Sequence, residues 1–267
     1  MMTEPFVRDE KEPIVWIAPW INGDKKIIAG FTTKEGGVSL PPYDSNNLGF
    51  HVEDNPTHVL NNRQLLANAI SVPLDHWVLA EQVHGNKVHI AEQRDKGKGS
   101  HSMETAIPDA DGLVSMENEM VCAALFADCV PLFFADRKKG IVAISHAGWK
   151  GTVNKIAQKT TQAMIQLSAD PSDIEVVIGP SICPSCYEVN DHVIQHIEPA
   201  HQNCYDGWDG QYQLDLKQLN KQLLIEAGVL PAHIYTTSYC TSHDSLFYSH
   251  RRDKHPTGRM IGFIGLA

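Results

Sequence analysis

Three short segments place a sulfur or imidazole donor beside small or turn-forming residues at the end of an apolar run. They are Glu81-Gln82-Val83-His84-Gly85, Ala127-Asp128-Cys129-Val130-Pro131 and Ser145-His146-Ala147-Gly148-Trp149-Lys150-Gly151. A strand that ends in a loop aims its side chain rigidly and leaves room for a ligand, which is where sites are commonly built. Two imidazoles and a thiolate are good zinc ligands, and three protein ligands leave the fourth tetrahedral position to water or substrate. Water bound there has its pKa lowered toward neutrality and becomes a hydroxide nucleophile. Spacing does not single out this triple, because its members lie 45 and 17 positions apart and the chain offers 14 histidines and six cysteines. Each member also has an ordinary structural reading, as a hydrogen-bonded, partly buried histidine or an inert buried thiol. Cys129 with a histidine as its base would make a metal-free nucleophile instead.

The third segment carries a further feature. Gly148 and Gly151 turn the chain into an amphipathic stretch that starts near Thr152. A glycine-bearing turn at a helix start exposes free N–H groups to an anion, and Lys150 adds a positive charge beside it. The alternative is a tight turn with Trp149 packed beneath it. Cys183-Pro184-Ser185-Cys186 is a single C-x-x-C with no second ligand pair recognised, and reads as loop thiols. His192 and His196 stand four apart without the acidic residue of a metalloprotease motif, and read as surface residues.

The elements that must position these residues are mixed. Residues 26–32 form a β-rich run, followed by a turn-rich loop over 34–55. Asn55-Pro56 opens a helix that runs to about Ile70, with Asn as cap and Pro at the first helical position. Short apolar runs stand at 77–79 and 88–91, and three closely spaced strands are expected at 121–126, 130–135 and 141–145, apolar on both faces as buried strands are. The clearest helix is 152–167, with Val153, Ile156, Ala157, Thr160, Met164 and Leu167 on one stripe. A strand at 175–178, a helix over 214–228 and strands at 234–236, 246–248 and 260–266 complete the chain. Strands and helices without strict alternation imply an α/β (α+β) sandwich, a mixed sheet with flanking helices. Residues 1–267 read as one domain, with 1–25 an N-terminal extension and 94–108 an exposed loop.

Composition narrows the partners. A net charge of -10 and a pI near 5.7 repel polyphosphate backbones, and the short cluster Arg251, Arg252 and Lys254 is interrupted by Asp253. Nucleic acid is not an expected partner. No run approaches the ~18 apolar residues of a membrane span, and the polar, acidic start does not resemble a secretory leader. Six thinly spread cysteines fit thiols or metal ligands in a reducing cytoplasm.

Motifs along most of the chain resemble one family. Phe31-Thr32-Thr33-Lys34-Glu35-Gly36-Gly37-Val38-Ser39, Gln82-Val83-His84-Gly85, Asp109-Ala110-Asp111-Gly112-Leu113-Val114, Ala127-Asp128-Cys129-Val130-Pro131 and His146-Ala147-Gly148-Trp149-Lys150-Gly151 come first. Ile178-Gly179-Pro180-Ser181-Ile182, Cys186-Tyr187-Glu188-Val189 and Tyr239-Cys240-Thr241 follow. In this order, over about residues 27–266, they resemble the YfiH/YlmD family, also described as laccase-domain or multicopper polyphenol oxidase proteins. The resemblance implies a YfiH-like α/β sandwich similar to a group of bacterial toxin deamidases that use Cys and His. It implies a zinc-dependent purine nucleoside enzyme that phosphorolyses adenosine, inosine, guanosine and methylthioadenosine and deaminates adenosine. It makes His84, Cys129 and His146 the metal ligands, with zinc as cofactor and copper able to take its place.

That activity assigns further roles. Phosphorolysis needs a phosphate held opposite the base, for which the turn at Lys150 and Gly151, Arg63 and Lys34 are candidates, solvated surface charge being the other reading of the last two. Deamination needs an acid/base partner beside the activated water, for which Asp128 and Gln82 are candidates; structural orientation is the other reading of Asp128. A multicopper oxidase would need His-x-His pairs, and the chain has none. A metal-free Cys/His hydrolase or deamidase and a non-catalytic nucleoside- or metal-binding module remain as the other classes. The expected partners are a purine nucleoside and phosphate, in a cytoplasmic monomer or homodimer.

Overall fold

The computed structural model describes residues 4–21, 27–254 and 256–266. Two six-stranded sheets lie face to face. The first runs β1 (Phe6–Arg8), β2 (Ile14–Ile17), β3 (Ile27–Thr32), β15 (Met260–Leu266), β7 (Met120–Phe126), β4 (Trp77–Leu79). The second runs β14 (Ile234–Thr236), β10 (Glu175–Ile178), β8 (Val130–Asp136), β9 (Ile141–Ala147), β6 (Gly112–Ser115), β5 (Val88–Ile90). Pairing is mostly antiparallel, with β4–β7, β5–β6 and β10–β14 parallel. A small third sheet joins β11 (Glu188–Val189), β13 (Gln211–Leu214) and β12 (Tyr205–Trp208).

Strand periodicity explains the layering. In β7, Cys122, Ala124 and Phe126 point into the core between the sheets, while Val121, Ala123 and Leu125 point outward. The outward row is covered by α2 (Pro56–Ile70) through Leu66, Ala67 and Ile70. In β8, Phe133 and Ala135 face inward, and Val130, Leu132 and Phe134 meet α4 (Ile156–Gln166) and α6 (Leu216–Glu226). Each large apolar side chain buried this way contributes roughly 1.5–3 kcal/mol, so strands apolar on both faces need covering on both. The result is the expected α/β sandwich, helices outside and two mixed sheets within. In β9, Val142 and Ile144 belong to the inter-sheet core, and His146 continues their row.

Four sequence expectations are corrected. The N-terminal extension is built into the first sheet, since β1 and β2 pair onto β3, and α1 (Ala18–Ile21) follows them; Lys26, where that strand was expected to begin, lies outside the described residues. The stretch 94–108 is not simply exposed: Asp95, Ser100 and Ile107 are buried, and the carbonyls of Gly99 and Ser100 accept from Arg63. Residues 246–248, of which Phe247 and Tyr248 are buried and Leu246 partly so, form no strand, because their backbone turns back toward residue 34. The helix over 152–167 is split into α3 (Trp149–Val153) and α4 by Lys155 in the left-handed region (φ 67°). The Asn154 carbonyl at the break is taken by Asn86 Nδ2 at 2.6 Å, which ties the break to the loop that carries His84.

Candidate metal centre

The chain crosses between the two sheets at several points, and two of these crossings carry donors. His84 lies between β4 of the first sheet and β5 of the second, and Cys129 occupies the corner between β7 and β8. His146 reaches them from the end of β9. The donor atoms of His84, Cys129 and His146 all lie within 4.8 Å of one another. The two imidazole rings meet edge to face at 4.8 Å between centroids. Both crossings bend sharply: His84 has φ 59° and Asp128 φ 86°. Such backbone is uncommon for residues other than glycine and persists where surrounding bonds over-determine it.

For His84 those bonds come from Asp111, whose side chain is fully buried. Its carboxylate accepts from the backbone N–H groups of Val83 (3.1 Å), His84 (3.1 Å) and Gly85 (2.7 Å). It also accepts from His146 Nδ1 at 2.8 Å, and the Asp111 carbonyl accepts from His146 N at 2.7 Å. One carboxylate thus shapes the His84 loop and orients the His146 ring. With Nδ1 as donor, Nε2 of His146 keeps its lone pair for a ligand. Sequence reading included Asp111 in a family motif but gave it no role, since nothing local says that an Asp-Gly turn is buried.

Electrostatics agree with this geometry. Burial pushes Asp111 up, yet the hydrogen bond and charge of His146 and the loop N–H groups hold it below the ordinary carboxylate value. Burial likewise raises the Cys129 thiol, but the neighbouring His146, helped by His84, brings it down toward the thiolate. Burial lowers His146, and the charge of Cys129 with the hydrogen bond to Asp111 raises it above the usual imidazole range, so without a metal Cys129 and His146 pair as thiolate and imidazolium, and a bound ion would take the place of the Nε2 proton. A thiolate with two imidazoles is a donor set for a borderline-soft divalent ion.

Gly148 makes room for the cluster. A Cβ at this position would lie 3.0 Å from Cys129 Sγ and 3.2 Å from His84 Cδ2, whereas its φ of -66° suits any residue. Gly148→Ala is therefore expected to push two donors apart without straining the backbone. A competition titration should show zinc affinity about tenfold weaker, as for perturbed ligand surroundings, with the melting temperature of the metal-free protein within a few degrees of wild type. Unchanged affinity would show that the donors do not need this space.

The cluster lies on the wall of a cavity of about 540 Å³, lined also by His51, Met103, Leu125, Ile182, Tyr187, His250, Arg251 and Arg259. That volume suits a small organic ligand. Of the other expected site residues, Asp128 and Gln82 line it, while Arg63, Lys150, Gly151 and Lys34 do not. Asp128 is engaged: its carboxylate accepts from Thr241 Oγ1 (2.6 Å) and from Arg251 N (2.7 Å). Gln82 exchanges two hydrogen bonds with the Leu125 backbone and prolongs the edge of the sheet. Arg63 is fully buried, stacks on Phe50 and donates to the carbonyls of Leu48, Gly99 and Ser100, so it braces loops. Lys150 is exposed, with its amine 5.7 Å from the Trp149 ring. Gly151 is packed so closely that a Cβ would meet the Gly85 carbonyl at 2.9 Å. His192 and His196 are exposed and lie against Trp149, as expected of surface residues.

The cavity's own cations were missed as site residues. Arg259 gives Nη1 to the carbonyls of Thr257 and Gly258, which fixes it at the wall. Arg251 lies 5.3 Å from the Tyr187 ring centre and donates to the Glu188 carbonyl. The basic cluster that includes Arg251 is visible in the sequence, but as a short run broken by Asp253 it carries no sign of a cavity. His51 is exposed at the cavity mouth, and partial desolvation there, followed by the charges of Arg259 and Arg63, shifts it below the usual imidazole value, so it is neutral at pH 7. No local pattern distinguishes it from the other histidines.

Comparison with known proteins gives consistent matches. The sequence model of the family described as multi-copper polyphenol oxidoreductase laccase matches residues 28–267. The chain is 45% identical over 249 residues to "Purine nucleoside phosphorylase YlmD" of Bacillus subtilis, covering 91% of this chain and 90% of that one. Among solved structures, "Bacillus licheniformis hypothetical protein YfiH" superposes with a TM-score of 0.95 at 41% identity, covering 99% of this chain and 100% of the other. YlmD from Geobacillus stearothermophilus superposes with a TM-score of 0.94 at 40% identity, covering 99% of each chain.

Proposed function

The chain belongs to the laccase-domain family, described as multi-copper polyphenol oxidoreductase laccase, and on that premise we propose that it is a zinc-dependent purine nucleoside phosphorylase. The reading is supported by the name of its Bacillus subtilis relative. The observation that carries it is the convergence of Cys129, His84 and His146 on the wall of a cavity that also holds two arginines. Zinc accepts this donor set, and copper binds such ligands more tightly still. An oxidase built on a three-copper cluster would need His-x-His pairs, which the sequence lacks. His84, Cys129 and His146 would hold the zinc, which would supply Lewis acidity there.

The chain's own residues do the rest. Phosphorolysis requires phosphate and nucleoside to be held in line across the ribose–base bond. Arg251 and Arg259 give the cavity a fixed positive wall for phosphate. Leu125, Ile182, Met103 and Tyr187 offer apolar surface to a purine. Neutral His51 adds an imidazole that can accept one hydrogen bond and donate another without carrying charge. Inosine, guanosine, adenosine and methylthioadenosine share the ribosyl-purine core that such a cavity recognises. Adenosine deamination in the same cavity would use water where phosphorolysis uses phosphate. Arg259→Gln is expected to raise the KM for phosphate about tenfold, the loss of one charge-assisted contact, while the KM for inosine stays within twofold. Initial rates against phosphate at saturating inosine test this; an unchanged phosphate KM would place the anion elsewhere.

Chromatography of inosine and adenosine incubations tests the function itself. Hypoxanthine and ribose 1-phosphate formed only with phosphate support phosphorolysis. Inosine formed from adenosine without phosphate supports the deaminase. A second reading is favoured by one observation: Cys129, His146 and Asp111 stand in nucleophile, base and orienting positions, with the thiol pK lowered. A metal-free Cys/His hydrolase would keep its activity after exhaustive chelation, whereas the proposed phosphorylase would not.

A further inference from the structure

Behind the cavity wall, two tight turns meet. The first is Cys183-Pro184-Ser185-Cys186, closed by Cys186 N donating to the Cys183 carbonyl at 3.1 Å. The second is Cys240-Thr241-Ser242-His243, closed by Asp244 N donating to the Cys240 carbonyl at 2.8 Å and by Cys240 N donating to the Asp244 carboxylate at 2.8 Å. A parallel bridge between Ser181 and Cys240, with Thr241 N donating to the Ser181 carbonyl at 3.1 Å, sets the turns side by side. The sequence shows Cys183 and Cys186 as a C-x-x-C without a partner pair. The fold supplies that pair, Cys240-x-x-His243, from 57 residues away.

The four side chains converge. Their donor atoms all lie within 4.8 Å of one another, with Cys186 Sγ 3.1 Å from His243 Nε2 and Cys183 Sγ 3.7 Å from His243 Nδ1. Zinc–sulfur bonds of ~2.3 Å and zinc–nitrogen bonds of ~2.0 Å set the donors of a tetrahedral site roughly 3.5–3.8 Å apart. Two pairs of ligands, each three residues apart on a tight turn, are the usual framework of structural zinc sites. A disulfide between Cys183 and Cys186 would use two of the four groups and leave the others unexplained. We propose that Cys183, Cys186, Cys240 and His243 form a second, closed zinc site that is structural and separate from the cluster at Cys129.

The surroundings fit that charge and geometry. A Cys3His site around zinc carries one net negative charge, and its thiolates accept hydrogen bonds. Cys183 N donates to Cys240 Sγ at 3.3 Å, and Ser185 Oγ lies 3.2 Å from Cys183 Sγ. Arg252 donates Nη1 to the carbonyls of Thr241, Ser242 and Asp244. Lys217 donates to the carbonyls of Thr237 and Tyr239 just before the second turn. The cations thus brace the ligand-bearing backbone.

The site's purpose follows from what the turns hold. Ile182 N, beside the first turn, donates to the Asp128 carbonyl at 3.0 Å. Thr241 Oγ1, inside the second, donates to the Asp128 carboxylate at 2.6 Å. Asp128 is the left-handed residue that presents Cys129. The second zinc therefore locks the two turns that fix the corner carrying a ligand of the first.

Metal analysis of the full chain, purified under reducing conditions with zinc supplied, tests the proposal. Wild type should hold two zinc ions per chain, Cys129→Ala one, and Cys186→Ser one. In Cys129→Ala, three thiols should become reactive to a thiol reagent only after a chelator removes the remaining zinc. The Cys186→Ser protein should melt about 5–10 °C lower, as expected when a metal contributes to folding. Should Cys186→Ser fail to fold, the zinc and thiol counts of Cys129→Ala decide the matter alone. One zinc per chain in wild type with none in Cys129→Ala overturns the proposal. A Cys183–Cys186 disulfide in the zinc-supplied protein, or iron in place of zinc, overturns it equally.

Discussion

Cys129→Ala is expected to lower kcat/KM for inosine phosphorolysis by at least about a thousandfold, which corresponds to ~4 kcal/mol of transition-state stabilisation. The loss is large because Cys129 is the only sulfur in the cluster, and two imidazoles alone hold zinc poorly at a site built for three donors. The fold should survive. Cys129 is only partly buried and packs at the margin of the inter-sheet core, so little apolar contact is lost. Parallel measurements of zinc content, melting temperature and product formation separate the effects. Full activity in a folded Cys129→Ala protein lacking zinc at this cluster would remove the metal from the mechanism.

Asp111→Asn is expected to weaken zinc binding 10- to 100-fold, the usual cost of losing a partner that orients a metal-binding histidine. It should also destabilise the metal-free protein by ~3 kcal/mol. Asp111 accepts from His146 Nδ1 and from the N–H groups of Val83, His84 and Gly85. An asparagine must turn its NH2 toward at least one of these donors. Each buried donor left without an acceptor costs roughly 1–3 kcal/mol. For a chain of this size such a loss lowers the melting temperature by about 6–12 °C. Thermal unfolding of the chelated protein and competitive zinc titration measure the two effects. A variant with wild-type melting and wild-type affinity would show that Asp111 does not organise the centre.

These expectations show which parts of the molecule were legible in the sequence. The strands 121–126, 130–135 and 141–145 were readable because apolar residues on both faces leave few alternatives to a strand covered on both sides. The α2 helix was readable from its Asn55 cap and Pro56, and Thr57 N donates to the Asn55 side chain as a cap requires. His84, Cys129 and His146 stood out only through the family resemblance, because the fold alone brings together residues so far apart in sequence.

The failures share a cause. The break at Lys155, the loop that Arg63 braces and the buried turn at Asp111 are all set by tertiary hydrogen bonds between distant residues. Local propensity carries no trace of them. Arg63 was chosen for its charge, yet burial and three carbonyl partners made it a brace, while Arg259, without any motif, reached the cavity. The C-x-x-C at Cys183 was legible as half a pattern, and the other half became visible only when the fold set Cys240 and His243 beside it.

The central claim is that a metal at His84, Cys129 and His146 supports phosphorolysis. It is tested most directly by stripping the protein with a chelator and returning zinc stepwise, with ribose 1-phosphate formation from inosine followed in phosphate buffer. Negligible activity is expected without metal, with recovery in step with zinc bound to wild type and no recovery in Cys129→Ala. Undiminished turnover by the stripped protein would contradict it and favour the metal-free Cys/His reading. Failure of fully zinc-loaded wild type to consume inosine, guanosine, adenosine or methylthioadenosine would contradict the nucleoside assignment itself.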